Sequence, residues 1–466
     1  MTTRALTWVL PAITAAGLGM WRLTGASLWA DELATWGAVR LSWDQLRQLT
    51  GSVDVILLPY YGVLHAYTKI AGTGTTALRL PSVIAVTLTA LAVVALGRRA
   101  GGDRAGLAAG MLFALLPVVS RYAQEARPYA LVILFAALAL LALVRLLEGP
   151  TVTRTALYTA AVAGAGLAHP LGGMLMVAGH AVAVPLVLRP WKVRTALLCM
   201  LGAGIGSVPA LLLAARGMAQ SAQISWITLV DWNSVQGLPQ NMFVSAACGG
   251  ILLALAVLGV GRTTAALAAA AFVPPVLLLV VGVLTPIFVP RYALVALPAL
   301  AALAGAAAVR AGRPQAVAVL ALTAVLAYPV HTELRESDGH GQDSARIAAV
   351  IGPRWQPGDV VVFPDRRYSI PWAMRDIYER YLPAPRPPDV LRVRGQREDG
   401  TLLAEECPEA SCLGTPNRIW VVGVSPAADL LTDMTPAKRK RIEAGYRVEQ
   451  RWGFKLLAIA LLERRP

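Results

Sequence analysis

The chain has 466 residues, of which 56% are hydrophobic and only 15% are Asp, Glu, Lys or Arg, against about 25% charged residues in an ordinary soluble domain. That excludes a single soluble globular enzyme. Residues 1–330 hold 21 of the 42 basic residues but 8 of the 27 acidic ones, an excess of 13, whereas residues 331–466 hold 21 and 19. The first part therefore reads as a multi-span membrane protein and the last part as a soluble domain. The cations are scattered between apolar runs and form no stripe with interleaved aromatics, which argues against a nucleic-acid partner.

A spanning helix needs roughly 20 apolar residues, because lipid offers an open backbone no hydrogen-bond partner. Taken in chain order, eleven spans are predicted near 5–22, 79–97, 104–120, 128–147, 154–168, 171–188, 195–214, 242–260, 263–285, 292–309 and 314–330. Reading the first as a cleaved leader instead leaves the rest of the topology unchanged. With the N-terminus inside, the short inner segments collect Arg4, Arg98, Arg99, Arg104, Arg145, Arg154, Arg189, Lys192, Arg194, Arg262, Arg310 and Arg313. The short outer loops collect only Arg121, Arg127, Arg216 and Arg291. This bias fits the positive-inside rule. An odd number of spans then puts the C-terminal domain outside the cytoplasmic membrane of a bacterium; only 5 of the 42 cations are Lys, which hints at a GC-rich genome.

The eight acids of the membrane part are Asp31, Glu32, Asp44, Asp54, Asp103, Glu125, Glu148 and Asp231. Asp103 and Glu148 fall in inner loops among arginines and read as solvated charges; the other six face outside. Four of them lie in a long first outer segment, about 23–78. There SLWADELATWGAVRLSWDQLRQL spaces Trp29, Leu33, Trp36, Val39 and Trp43 by three or four, which predicts an amphipathic helix lying on the membrane surface. A second is predicted through LLPYYGVLHAYTKIAG. Asp31 and Glu32 follow the first span at the bilayer edge. Adjacent carboxylates point to different helix faces, so one of the two enters a given site.

Further along, EARPYAL at 125–131 opens the fourth span with Glu125, Arg127 and Tyr129, and FVPRYALVALP at 288–298 opens the tenth with Arg291 and Tyr292. His65, His169 and Arg79 map to the same side. Singly these read equally well as snorkelling arginines and packed polar residues; together they describe a polar outer pocket. Arginine forks suit phosphate. A sugar joined to a lipid phosphate carries a leaving group that is already a weakly basic anion, so its transfer needs cations and one base for the acceptor hydroxyl. Hydrolysis of an ordinary glycoside would need a second carboxylic acid.

SLWADE after the first span, ALRLPSVI entering the second, EARPYAL and PRYALVALP resemble the C-type glycosyltransferases, multi-span enzymes that use polyprenyl-phosphate sugars at the outer face. The likeness covers about residues 1–330 and leans toward the protein O-mannosyltransferase and aminoarabinose transferase branch. The resemblance implies Asp31 as catalytic base with Glu32 beside it, Arg127 and Arg291 on the donor phosphate, with Arg79 as a third candidate, and Glu125 as an acid that helps hold an acceptor or a metal. His65, His169, Tyr129 and Tyr292 are auxiliary or acceptor-side candidates. It implies mannose first, then arabinose or another pentose, moved with inversion to a lipid, cell-envelope glycan or protein hydroxyl. Where relatives carry a His-Pro-Pro-like turn, this chain has Leu57, Leu58, Pro59 and Tyr60.

In the C-terminal part GDVVVF, NRIWVVGV, YRVEQRW and KLLAIALL read as strands, and SIPWAMRDIYERY and PAADLLTDMTPAKRKRIEAG as helices. A small α/β domain, residues 331–466, is expected. It carries no GxGxxG or P-loop. Its KRKR at 438–441 reads as a solvated helix end, and acceptor recognition is its expected role. Cys407 and Cys412 could form a short-loop bridge or remain two thiols, and Cys199 and Cys248 read as small apolar residues within spans. No clustered Cys/His pattern supports structural zinc, while a divalent cation at Asp31 and Glu125 stays open. Two readings of other classes also stay open: a transporter or lipid flippase, which would usually show internal repeats, and a non-catalytic scaffold for the α/β domain.

Overall fold

The computed structural model describes residues 3–188, 192–364, 370, 372–424 and 430–466. Contacts divide the chain into two compact units: residues 1–23, 55–63 and 76–332 form one, and residues 24–54, 64–75 and 333–466 the other.

The first unit is helical. Each predicted span coincides with a helix: Thr3–Met20, Thr75–Leu115, Tyr129–Glu148, Val152–Ala168, Pro170–Val187, Val193–Met218, Ala246–Gly259, Ala265–Leu284, Leu297–Arg310 and Arg313–Glu333, with Thr75–Leu115 counting twice. That long segment is broken at Gly101 and Gly102, and Gly102 has a φ of +79°, a turn conformation that suits glycine. Among the described residues seven helices are long and apolar enough to cross a membrane, or eight if Trp232–Phe243 and Ala246–Gly259, bent by 91°, form one span. Leu297–Arg310 is buried along nearly its whole length, as expected of a helix apolar on every side. Asp103 and Glu148, expected as solvated charges among arginines, keep exposed side chains and also pair with those arginines: Arg98 Nε donates to Asp103 Oδ1 at 2.7 Å and Arg99 Nε to Glu148 Oε1 at 3.3 Å. Of the topogenic cations, Arg189 lies outside the described residues.

The second unit is built on a four-stranded sheet. Its strands are β1 (Val360–Val362), β4 (Arg418–Gly423), β5 (Tyr446–Phe454) and β6 (Leu457–Arg464); β2 (Arg392–Arg394) and β3 (Glu405–Glu406) form a separate ribbon that the sequence did not reveal. The sheet order is β1-β4-β6-β5, with β1 parallel to β4 and the other pairs antiparallel. Alternate residues Val360, Val362, Ile419, Val421, Ala458, Ala460 and Leu462 face one apolar core. The expected helices appear as Ala373–Tyr381 and Pro436–Gly445; Ser369, Pro371 and Pro426–Asp429 of the predicted segments lie outside the described residues. Cys407 and Cys412 form a disulfide, and Cys199 and Cys248 are buried thiols.

Two expectations are corrected here. The single surface helix of the first outer segment is two helices, Ala30–Val39 and Trp43–Ser52, because Ser42 and Gln45 form a capping box that starts a new helix. The first of these does not leave its apolar residues exposed as a stripe. Leu33, Trp36 and Val39 are buried inside the unit, where the helix packs on Ala373–Tyr381. The KRKR run is likewise not a fully solvated helix end, since Lys438 is buried and its Nζ lies 2.6 Å from Glu406 Oε2.

Candidate active site

Three proline-marked starts in the first unit shape the site: Pro128 caps Tyr129–Glu148, Pro170 opens Pro170–Val187, and Pro290 opens the 3-10 turn Pro290–Ala296 that leads into Leu297–Arg310. Proline suits a helix start because its missing N–H is an orphan there anyway. It also drives the residue before it out of the helical region, and His169 accordingly has φ −154° and ψ 105°, ending one helix and capping the next. The three starts adjoin one another and gather the residues that flank them. Arg291 Nε donates to Tyr129 Oη at 2.8 Å. The rings of His169 and Tyr292 are 4.6 Å apart, and those of Tyr129 and His169 5.8 Å apart.

His169 Nδ1 accepts the Gly172 N–H at 3.0 Å. A nitrogen that accepts cannot also carry the proton, so the ring's N–H is on Nε2. Arg127 Nη1 approaches Tyr61 Oη at 3.4 Å, and the charges of Arg291 and Arg127 both act on His169. Glu125 is buried and takes Arg121 Nη1 on Oε2 at 2.5 Å, so its charge is matched locally. Ser82 Oγ donates to the Glu125 carbonyl at 2.6 Å and thereby fixes the loop. Sequence reading missed Trp226, whose ring lies 5.9 Å from the Arg291 guanidinium; only its aromatic character signalled it. Arg79 is fully buried, with Nη1 donating to the Leu23 carbonyl at 2.9 Å. Two guanidinium groups and three helix N-termini, all positive, converge among aromatic rings, and such a place suits an anion such as phosphate.

Asp31, Glu32 and His65 belong to the second unit. Asp31 is the second residue of Ala30–Val39 and is half-buried; Glu32 is fully enclosed, with Oε2 3.8 Å from His340 Nδ1. Trp29 at the N-cap supplies no side-chain cap. Gln342 does so from far along the chain, its Oε1 accepting the Ala30 N–H at 2.7 Å. The preceding loop is tied in the same way: Tyr381 Oη accepts from the Leu28 N–H at 2.7 Å, Ser344 Oγ donates to the Leu28 carbonyl at 2.9 Å, and the Ser27 N–H bonds the Ser337 carbonyl at 2.9 Å. Farther along the helix, the space a Cβ of Gly37 would need is filled by the Arg397 guanidinium. Arg397 holds Asp376 by two bonds of 2.9 and 2.6 Å. Burial pushes the Asp376 carboxyl above its ordinary range, and Arg397 opposes that push. His65 is enclosed, with Nδ1 3.0 Å from the Val39 carbonyl and its ring 4.4 Å from that of Trp43. Among the described residues no three His, Cys, Asp or Glu gather as a metal site.

The architecture is that of a multi-span membrane protein with the C-type glycosyltransferase fold, carrying a small sheet-containing domain at its C-terminal end. Residues 59–213 match the family of dolichyl-phosphate-mannose-protein mannosyltransferases. The structure is similar to ArnT from Cupriavidus metallidurans bound to undecaprenyl phosphate, with a TM-score of 0.60, 15% identity and 98% of each chain covered. It is also similar to the apo form of that protein, with a TM-score of 0.58, 14% identity and 98% of each chain covered. Compared by sequence with curated proteins, the chain matches none.

Proposed function

We propose that this protein transfers a sugar from a polyprenyl-phosphate donor to a hydroxyl of a lipid, cell-envelope glycan or protein, at the outer face of a bacterial cytoplasmic membrane. The observation that carries this reading is the convergence of Arg291, its partner Tyr129, and His169 at three proline-started helices. The ArnT structure named above holds undecaprenyl phosphate, the chemical class such a cluster would take.

In this reading Arg127 and Arg291 hold the donor phosphate, and the rings around them exclude water, so their charges act at low dielectric. The phosphate leaves as an anion stabilised by those cations and needs no acid. Asp31 takes the proton of the acceptor hydroxyl as its oxygen bonds the anomeric carbon and the bond to phosphate breaks; attack in line with the leaving group inverts that carbon. Glu32, enclosed with His340, has the supporting role of fixing the helix that carries Asp31. Mannose is the first candidate sugar and a pentose such as arabinose the second.

Arg291→Ala tests the donor-phosphate assignment. With labelled polyprenyl-phosphate mannose, then polyprenyl-phosphate arabinose, the donor KM is expected to rise about ten- to a hundredfold, the worth of a hydrogen bond to a charged group. An unchanged KM would remove Arg291 from the site. Adding a chelator to the same assay decides whether Asp31 and Glu125 act with a divalent cation.

A further inference from the structure

The first unit contains a cavity of about 240 Å³ between four helices. Thr75–Leu115 contributes its residues just before the break at Gly101 and Gly102, Tyr129–Glu148 its last two turns, Pro170–Val187 its last residue, and Ala265–Leu284 its start with Thr263 just ahead of it. That is about the bulk volume of eight waters, room for part of a lipid and not for a whole one. The cavity is open, since Arg99, Glu148, Thr263 and Val187 of its wall are all exposed.

The wall changes with depth in the same way on three of the helices. Arg99, Glu148 and Thr263 stand at helix ends, and one turn farther into the spans the wall is Leu96, Val144 and Leu267. A turn rises about 5.4 Å, so a polar rim lies over an apolar floor. Headgroup and acyl chain follow one another in that order.

The rim carries both signs of charge. Arg99 Nε donates to Glu148 Oε1 at 3.3 Å, and the two side chains remain 34% and 53% exposed. The pair occupies one N–H of the guanidinium and one oxygen of the carboxylate. Arg99 Nη1 and Nη2 and Glu148 Oε2 make no other hydrogen bond among the described residues, which leaves donors for a phosphate and an acceptor for an N–H group side by side. Arg145 and Arg262 are exposed nearby in the chain but are not part of the wall. Their charge draws the phosphate of any headgroup to this end of the spans, so selection among headgroups falls to Glu148. A headgroup with phosphate and no amine sets a second anion beside that carboxylate, and a quaternary amine has no N–H to give it.

We propose that this cavity binds one membrane phospholipid whose headgroup holds both a phosphate and a primary amine, with the phosphate on Arg99, the amine on Glu148 Oε2 and the start of an acyl chain against Leu96, Val144 and Leu267. In the orientation proposed from the charge bias, this lipid belongs to the cytoplasmic leaflet. The site goes beyond the transfer reading and does not rest on it, since binding needs no sugar donor and no Asp31.

The test is native mass spectrometry of the full-length protein, delipidated in detergent and titrated with phosphatidylethanolamine, phosphatidylglycerol and phosphatidylcholine of identical acyl chains. The first lipid to bind is expected to be phosphatidylethanolamine, about threefold or more tighter than either of the others, the worth of a half-exposed charge contact. Glu148→Gln should abolish that preference without weakening phosphatidylglycerol. Arg99→Ala should weaken phosphatidylethanolamine and phosphatidylglycerol alike, about threefold or more. Both substitutions remove exposed groups and are expected to fold, which a thermal midpoint near that of the wild type checks; if one variant does not fold, the other decides alone. Equal binding of the three lipids by the wild type, tighter binding of phosphatidylglycerol, a preference for phosphatidylethanolamine that survives Glu148→Gln, or unchanged binding by Arg99→Ala would overturn the proposal. Failure of the sugar-transfer assay would leave the lipid result standing.

Discussion

Asp31 is half-buried at the second position of its helix, while Glu32, one residue on, is fully enclosed beside His340. The 100° between successive helical residues is what separates them, and it divides a pair of carboxylates into one that can meet a substrate and one that cannot do so without the unit opening. The two should therefore respond differently to substitution. Glu32→Ala leaves His340 and the surrounding polar groups without their partner, and is expected to destabilise the protein by about 3 kcal/mol; Asp31→Asn keeps the shape of a half-exposed side chain and should cost much less. Thermal unfolding of both variants in detergent checks this, and equal midpoints would contradict the assignment. The arginines divide in a similar way. Arg79 is spent on a backbone carbonyl in the interior, whereas Arg291 is half-buried and oriented by a tyrosine hydroxyl.

The helix Ala30–Val39 has ten residues and no cap of its own. Isolated helices this short are marginal, so its position depends on what surrounds it: Gln342 at its start and Arg397 lying against Gly37 farther along. Arg397 itself has a φ of +68°, a conformation that costs a side-chain-bearing residue about 1–2 kcal/mol and persists because the bidentate bond to Asp376 holds it. Gly37→Ala would push on this buried ion pair. It is expected to destabilise by about 1–3 kcal/mol and to lower transfer with donor KM unchanged, since the phosphate cluster lies in the other unit. Unaltered stability and transfer would show that Arg397 does not brace the helix. By the same reasoning, the proline starts at Pro128, Pro170 and Pro290 fix where Tyr129, His169 and Arg291 stand.

Much of the fold was legible in the sequence because lipid imposes long apolar runs and proline marks helix starts: each span found a helix, and EARPYAL, the His169 turn and PRYAL lie near one another. What could not be read was set by contacts distant along the chain. The helix at Ala30–Val39 was expected on a membrane because nothing local shows that Ala373–Tyr381 covers its apolar face; Lys438 was expected in water because Glu406, its partner, is thirty-two residues away. The orientation proposed from the charge bias predicts a labelling pattern. In intact cells a membrane-impermeant maleimide should label Gln450→Cys, exposed on β5, and reach Thr151→Cys, exposed between two spans, only after permeabilisation; the reverse would invert the topology. The most direct measurement for the whole account is transfer of label from polyprenyl-phosphate mannose or arabinose to membrane-extract acceptors, by the reconstituted wild type and by Asp31→Asn. The account predicts transfer by the wild type and a loss of about 100- to 10,000-fold in the variant, the range for removing a general base. Equal transfer by both would contradict the role of Asp31, and no transfer from either donor by the wild type would contradict the proposed function.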